Sequence, residues 1–351
     1  MKRKVIALFV TTMLLMTLFS GCGKKDSGEK LYLYNWTEYI PQNVYDAFEE
    51  ETGIKVIEST FSSNEEMLAK LTAGGSDQYD LVMASCYVVE AMVEQDLIQP
   101  IHKENLENLG NISATALNQD FDPDNEYSIP FMSTITVIAV NKEKCKELGV
   151  EIKTFDDLLN PALENNIVAV DDVRDIVGIA LKAQGQDSNS RDQAVIEAAL
   201  PWLLKLQPNI KAYDSDSPKT LLAANDVAVG IVYNTDAGMA IKENPDIDVV
   251  FTEEPCQISM DNFVMTANAQ NVENAEKFID FIHRPEIYKM ILDEFPSVCL
   301  NDAALEVLDE EYLNNPGSNV EASEIERADM IGEVGDAVVW YDEVFTKMKT
   351  N

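Results

Sequence analysis

The sequence predicts an α/β protein organised as two domains. Three observations carry that expectation. Between Lys30 and Gln95, apolar strand-like runs alternate with helix-like segments in a βαβαβ rhythm, which calls for a sheet covered by helices on both faces. Hydrophobic residues make up 46% of the chain and charged ones 25%, a composition that fills a core and excludes a disordered or fibrous chain. The length of 351 residues is roughly twice what one ordinary domain uses.

Leu31-Tyr32-Leu33-Tyr34 reads as the first strand. Pro41, favoured at a helix start because its missing N–H is not needed there, opens a helix with Val44 and Phe48 one turn apart, closed by Gly53. Ile54 to Thr60 is the second strand. Asn64 is the expected cap of the next helix, which sets Met67, Leu68 and Leu71 on one face and stops at Gly74-Gly75. Tyr79 to Ala84 is a third strand, followed by a helix to about Gln95. Past the turn cluster Asp122-Pro123-Asp124-Asn125 the rhythm loosens. Thr134 to Val140 is a β-branched run ending at Asn141 and is a candidate crossover between domains. Strands follow at Ile167 to Val170, at Val227 to Tyr233 (interrupted by Gly230), and at Val249 to Phe251. Ala275, Phe278 and Ile282 mark a helix that Arg284-Pro285 ends, and Val338, Tyr341, Phe345 and Met348 form one apolar helical stripe.

Lys and Arg number 26 against 62 Asp and Glu, a net charge of −36. Nucleic acid is therefore excluded as a partner, since phosphate binding needs a basic footprint. His102 and His283 have no Cys or His at ligand spacing, so neither a metal nor a cofactor is expected. At the N-terminus, Lys2, Arg3 and Lys4 precede the mostly apolar run Val5 to Phe19. That run is shorter than the ~20 residues of a membrane span and fits the core of a signal peptide. Phe19-Ser20-Gly21-Cys22 resembles the lipobox of bacterial lipoproteins, in which the peptide is cut before the cysteine and its sulfur receives a diacylglycerol. The resemblance implies a signal peptide over 1–21, a lipid on Cys22 attaching the chain to the membrane, and a short polar tether over 22–29. Four cysteines remain, Cys86, Cys145, Cys256 and Cys299, and spacing does not choose among their three full pairings. A domain of this size does not need disulfides, which favours free thiols.

Open α/β sheets bind ligands at the carboxyl ends of their strands, so the residues just after each strand are the candidates. They are Asn35-Trp36-Thr37-Glu38-Tyr39, Ser85-Cys86-Tyr87, Asp171-Asp172 with Asp175, Tyr233, and Asp261 after Ser259-Met260. Rings, small hydroxyls and carboxylates recur there, with no basic residue except Arg174. Such a set suits a ligand cationic at its ends and hydrocarbon between: carboxylates accept charge-assisted hydrogen bonds from ammonium groups, and rings cover methylenes. Each part has a plainer reading. Trp36 and Tyr39 can be core aromatics, and Asp172 and Asp175 sit in a first helical turn, where acids are favoured by the dipole whatever their function.

The order of these segments resembles the spermidine/putrescine-binding proteins of bacterial polyamine ABC importers. The likeness is carried by Leu31 to Pro41, Thr52-Gly53-Ile54-Lys55-Val56, Tyr79-Asp80-Leu81-Val82, Asp122-Pro123 through Tyr127-Ser128-Ile129-Pro130, and Asp171-Asp172-Val173-Arg174. It implies a two-lobed, type II periplasmic-binding-protein-like fold, each lobe a mixed sheet flanked by helices, with hinge strands crossing between lobes. The implied lobes are 30–136 plus 261–303 and 137–260 plus 304–351. Trp36, Tyr39, Tyr87 and Tyr233 match the ring positions, the last a tryptophan in typical members. Thr37 and Ser85 match polar contacts, and Glu38, Asp172, Asp175 and Asp261 match the four acids, Asp175 standing where glutamate is common. The sequence departs from the pattern at Ser259, where a tryptophan is expected, and at about Ser297, where a tyrosine is expected and Phe295 is a substitute. Ile331 stands where a glutamine is expected.

The implied function is capture of a linear polyamine by a monomeric, lipid-anchored extracytoplasmic receptor that serves ABC permease subunits, without chemistry. Three alternatives stay open at this point: another small cation on the same scaffold, delivery to a membrane sensor, and a hydrolase using Asp172 and Asp175 as acid and base.

Overall fold

The computed structural model describes residues 28–350, so the signal peptide and Cys22 lie outside the described residues. Among the described residues a single sheet of twelve strands runs through the molecule. The strands are β1 (Lys30–Trp36), β2 (Lys55–Phe61), β3 (Leu81–Ser85), β4 (Ile98–Gln99), β5 (Ser128–Asn141) and β6 (Ile167–Ala169). They continue with β7 (Ile210–Tyr213), β8 (Val229–Tyr233), β9 (Ile247–Val250), β10 (Gln257–Thr266), β11 (Val298–Cys299) and β12 (Asp329–Met330). The main path is β2-β1-β3-β10-β5-β8-β6-β7. Both wings are parallel, β2-β1-β3 on one side and β8-β6-β7 on the other, with helical crossovers joining their strands. Between them the long strands β10 and β5 run antiparallel to each other and to β3 and β8, their other neighbours on that path.

The described residues form four hydrophobic clusters, and the two largest mark two lobes. One gathers Leu31 and Leu33 of β1, Val44 and Phe48, Phe131 of β5, Phe263 of β10 and Phe278. The other gathers Ile138 of β5, Ile167, Ile231 and the C-terminal helix Val338–Thr350, whose stripe Tyr341, Phe345 and Met348 is buried as the spacing requires. Strand β5 thus feeds both cores. The cysteines Cys86, Cys145, Cys256 and Cys299 are unpaired thiols.

Local details place the site. Pro130 of β5 has no N–H to give the ladder, and next to it the β5–β10 register slips between Asp261 and Asn262. The slip leaves Phe131 as the extra residue of a bulge, a device that re-aims side chains. The carbonyls there are answered by His283 Nε2, 2.8 Å from Pro130 O, and by the Tyr288 hydroxyl donating to Phe131 O. One expectation is corrected. Ser63, not Asn64, caps the helix Asn64–Thr72, its hydroxyl accepting from Glu66 N at 3.1 Å. Both residue types cap well, and the chain uses the first, which frees Asn64 for another role.

Candidate functional site

The carboxyl ends of β1, β3, β6 and β8, with the middle of β5 and β10, surround one cavity holding about 1100 Å³ of space that opens to solvent. Register explains why distant residues meet there. Asp261 of β10 lies opposite Ser85 of β3, Ser259 opposite Thr134, and Thr136 opposite Tyr233 of β8. Eleven of the sequence-predicted residues line the cavity: Trp36, Thr37, Glu38, Tyr39, Ser85, Tyr87, Asp172, Asp175, Tyr233, Ser259 and Asp261. Ser297 does not. It is fully buried behind the wall, its hydroxyl 2.7 Å from that of Thr235, which does line the cavity. Phe295 and Ile331 complete the wall with apolar surface.

The carboxylates are held, not loose. Asp261 accepts from the Tyr39 hydroxyl at 2.6 Å and from Ser85 Oγ at 2.7 Å. Burial pushes its pKa up, and these two donors hold the rise back. Asp172 caps the helix Val173–Lys182, its Oδ1 accepting from the backbone N–H of Arg174 at 2.8 Å and of Asp175 at 3.1 Å. Asp175 accepts from Thr136 Oγ1 and from the Tyr233 hydroxyl, the latter at 3.2 Å. Burial first, and then the neighbouring Asp172 charge, push Asp175 up to about 7. Burial likewise raises Asp172.

The rings have their own supports. Trp36 packs on Phe61, directly opposite it in the β1–β2 register, with centroids 4.3 Å apart. Tyr39 meets Phe131 of the bulge edge-on at 5.7 Å.

Sequence reasoning missed several wall residues. Asn64 donates to Ser85 Oγ at 3.1 Å and to the Tyr87 hydroxyl at 2.6 Å, so it orients two predicted residues at once. Phe61, Thr134, Thr136, Met239 and Asp236 also line the cavity. The expectation about basic residues is overturned. Arg174 is buried away from the cavity, donating to Gly332 O at 3.0 Å and to Asn189 Oδ1 at 2.8 Å. The cation on the wall is Lys219, whose Nζ lies 2.7 Å from Glu38 Oε2 across the cleft. Glu38, expected to face a ligand amine, thus already has an ammonium partner. The motif for this was absent: Lys219 follows Asp214-Ser215-Asp216-Ser217-Pro218, which reads as a surface loop.

Among the described residues no lysine or arginine forms an ion pair with Asp172, Asp175 or Asp261, and no group of three or more His, Cys, Asp or Glu is placed to hold a metal. The arrangement can accept several charge-assisted hydrogen bonds while covering hydrocarbon with rings.

Residues 43–317 match the family model of bacterial extracellular solute-binding proteins. The chain is 37% identical over 334 residues to the spermidine/putrescine-binding periplasmic protein of Salmonella typhimurium, covering 95% of each chain. It is 30% identical over 284 residues to the putrescine/cadaverine-binding protein of Pseudomonas aeruginosa, covering 77% of this chain and 79% of that one. Among solved structures, the spermidine/putrescine ABC transporter substrate-binding protein PotD from Streptococcus pneumoniae superposes with a TM-score of 0.78 at 30% identity, over 92% of this chain and 99% of that chain. The TpPotD lipoprotein of Treponema pallidum superposes with a TM-score of 0.82 at 26% identity, over 92% of this chain and all (100%) of that chain.

Proposed function

The chain belongs to the bacterial extracellular solute-binding protein family, and from that premise we propose that its cleft captures a linear polyamine for an ABC importer. An extracytoplasmic place and a small solute passed to a transporter go with the family. The polyamine is our reading, and one observation carries it. Asp172, Asp175 and Asp261 are gathered in one cavity between aromatic rings, and none has a cationic partner from the protein. The buried Arg174 charge reaches Asp172 and Asp175 without forming an ion pair with either, and buried carboxylates that lack a direct ionic partner are unfavourable, which favours a cation that carries more than one donor group.

The magnitudes agree. A hydrogen bond to a charged group is worth ~1.5–3 kcal/mol net, and a micromolar complex needs ~8 kcal/mol. Two good ammonium contacts plus covered methylenes reach that after association costs. The arrangement of Asp172 and Asp175 also suits holding better than turnover, since one caps a helix and the other is tied to Thr136 and Tyr233. The relatives from Salmonella typhimurium and Pseudomonas aeruginosa are named for spermidine, putrescine and cadaverine, which supports the same ligand class.

Titration calorimetry with putrescine, cadaverine, spermidine and spermine tests the reading. We expect saturable binding of at least one of them, with the ligand recovered unchanged; no heat from any of the four overturns it. The same reading puts a lipid on Cys22 as the membrane anchor of a monomer. Cys22→Ala should abolish incorporation of a fatty-acid probe, and a labelled variant would refute the anchor.

A further inference from the structure

The cavity carries two acidic poles, and only one of them is open to an incoming cation. Asp172, Asp175 and Asp261 make the first, with no protein ammonium or guanidinium paired to them. Glu38 and Asp236 make the second, and there the chain supplies its own cation. Lys219 projects from the short helix Pro218–Ala223 of one lobe and meets Glu38, on the loop after β1 of the other, at 2.7 Å, with 15% of its side chain exposed. Asp236 is buried on the same wall, accepts no hydrogen bond among the described residues, and feels the Lys219 charge. A lysine ammonium has three donors and no acceptor. With its side chain only 15% exposed, it repels a second ammonium more strongly than it would in bulk solvent.

We infer that Lys219 sets the length of the polyamine this chain accepts: its ammonium occupies the Glu38 and Asp236 pole that a third ligand amine would otherwise use. The inference rests on the polyamine reading above. A diamine spans the open pole and leaves Lys219 in place. A triamine must either displace Lys219 from Glu38 or leave one ammonium facing it. The plainer role, a tie between the two lobes, makes a different prediction, because losing a tie weakens closure on every ligand by the same factor.

The test is calorimetry of the protein and its variants with putrescine and spermidine, read as the ratio of the two dissociation constants. Wild type should not bind the triamine more tightly than the diamine. Lys219→Met keeps the methylenes and removes the charge, and should move the ratio at least tenfold toward the triamine. Lys219→Arg keeps the charge and should restore most of the wild-type ratio. The double variant Glu38→Gln with Lys219→Met should lose most of the gain, because the freed carboxylate is what the third amine uses. If Lys219→Met does not fold, Lys219→Gln carries the same test. A ratio within threefold of wild type in the uncharged variant, with both affinities moved together, overturns the inference and leaves the polyamine reading standing. Wild type preferring spermidine tenfold also overturns it. Wild type binding neither amine removes the polyamine reading and the inference together.

Discussion

At the scale of single residues, Asp172 shows how one carboxylate serves fold and site at once. Its Oδ1 caps a helix through two backbone N–H groups. Asn caps almost as well as Asp, so Asp172→Asn should leave the melting temperature nearly unchanged while weakening polyamine binding tenfold to a hundredfold, the scale of one charged hydrogen bond at ~1.5–3 kcal/mol. Asp172→Ala should add a stability loss of ~1 kcal/mol. Asp261→Asn should give a similar loss of affinity, because the Tyr39 and Ser85 hydroxyls can rotate to meet the amide. Wild-type affinity in both Asn variants would remove these acids from the site. A pH dependence follows from Asp175 and Asp236, each pushed up to about 7, by burial above all. Their unfolded values are near 4, so the unliganded folded chain holds extra protons between about pH 4 and 7. Its stability therefore falls as pH rises through that window. Ligand ammonium groups resemble lysine, charged to about pH 10, and favour the ionised acid. Affinity should thus climb from about pH 5 to 8 with proton release, readable as a calorimetric heat that depends on buffer ionisation enthalpy. A flat profile would count against the Asp175 carboxyl facing the ligand.

At the scale of elements, backbone contacts position the side chains. The helix Asn234–Glu243 carries Thr235, Asp236 and Met239 of the wall, and Gly317 lies directly on it. A Cβ at Gly317 would sit 2.4 Å from Gly238 N and 2.7 Å from its Cα. Hydrogen bonds lock the contact, Asn315 Nδ2 to Gly238 O and Asn234 Nδ2 to Gly317 O, both 2.8 Å. Since backbone cannot give way as a flexible side chain can, Gly317→Ala should cost ~1–3 kcal/mol of stability and also weaken ligand binding by shifting the wall. Unchanged melting and affinity would show the contact to be looser than described. The same scale explains what was legible. The first lobe reads clearly because its short strands β1 and β3 carry apolar runs and Gly53 ends its first helix in a left-handed turn. Strand β5 reads short because Pro130 and Ser133 interrupt its apolar pattern, although the strand runs from Ser128. Asn64 was assigned to the wrong role because two good capping residues stand side by side. Lys219 could not be read at all, since its meeting with Glu38 joins residues 181 apart in sequence and depends on how two lobes face each other.

At the scale of the molecule, the arrangement of strands predicts a movement. Strand β5 gives Phe131 and Met132 to one core and Ile138 and Val140 to the other, so the lobes share strands while packing separately. Rotation about β5 and β10 can therefore part the lobes without opening either core. Across the mouth of the cleft the lobes meet through the Glu38–Lys219 ion pair, which, with the Glu38 side chain 53% exposed, belongs to a class worth about 0–1 kcal/mol; deeper contacts include Arg174 over the Tyr87 ring and Thr235 to Ser297. Against it stands repulsion among the acids that closure brings together. A polycation bound as proposed would contact both walls and reverse that balance, binding the closed form better than the open one, which is the condition for a population shift. Saturating polyamine should reduce the radius of gyration in small-angle scattering. It should also raise the melting temperature, by roughly 5 °C at a hundredfold excess over Kd, since that excess adds ~2.7 kcal/mol to the folded state. The two readouts separate two mechanisms. A rigid, preformed cleft would show the thermal shift with superimposable scattering curves, and that outcome would refute closure while leaving binding intact. Compaction that persists in Lys219→Met would show that the ligand, and not the ion pair, supplies the force that shuts the cleft.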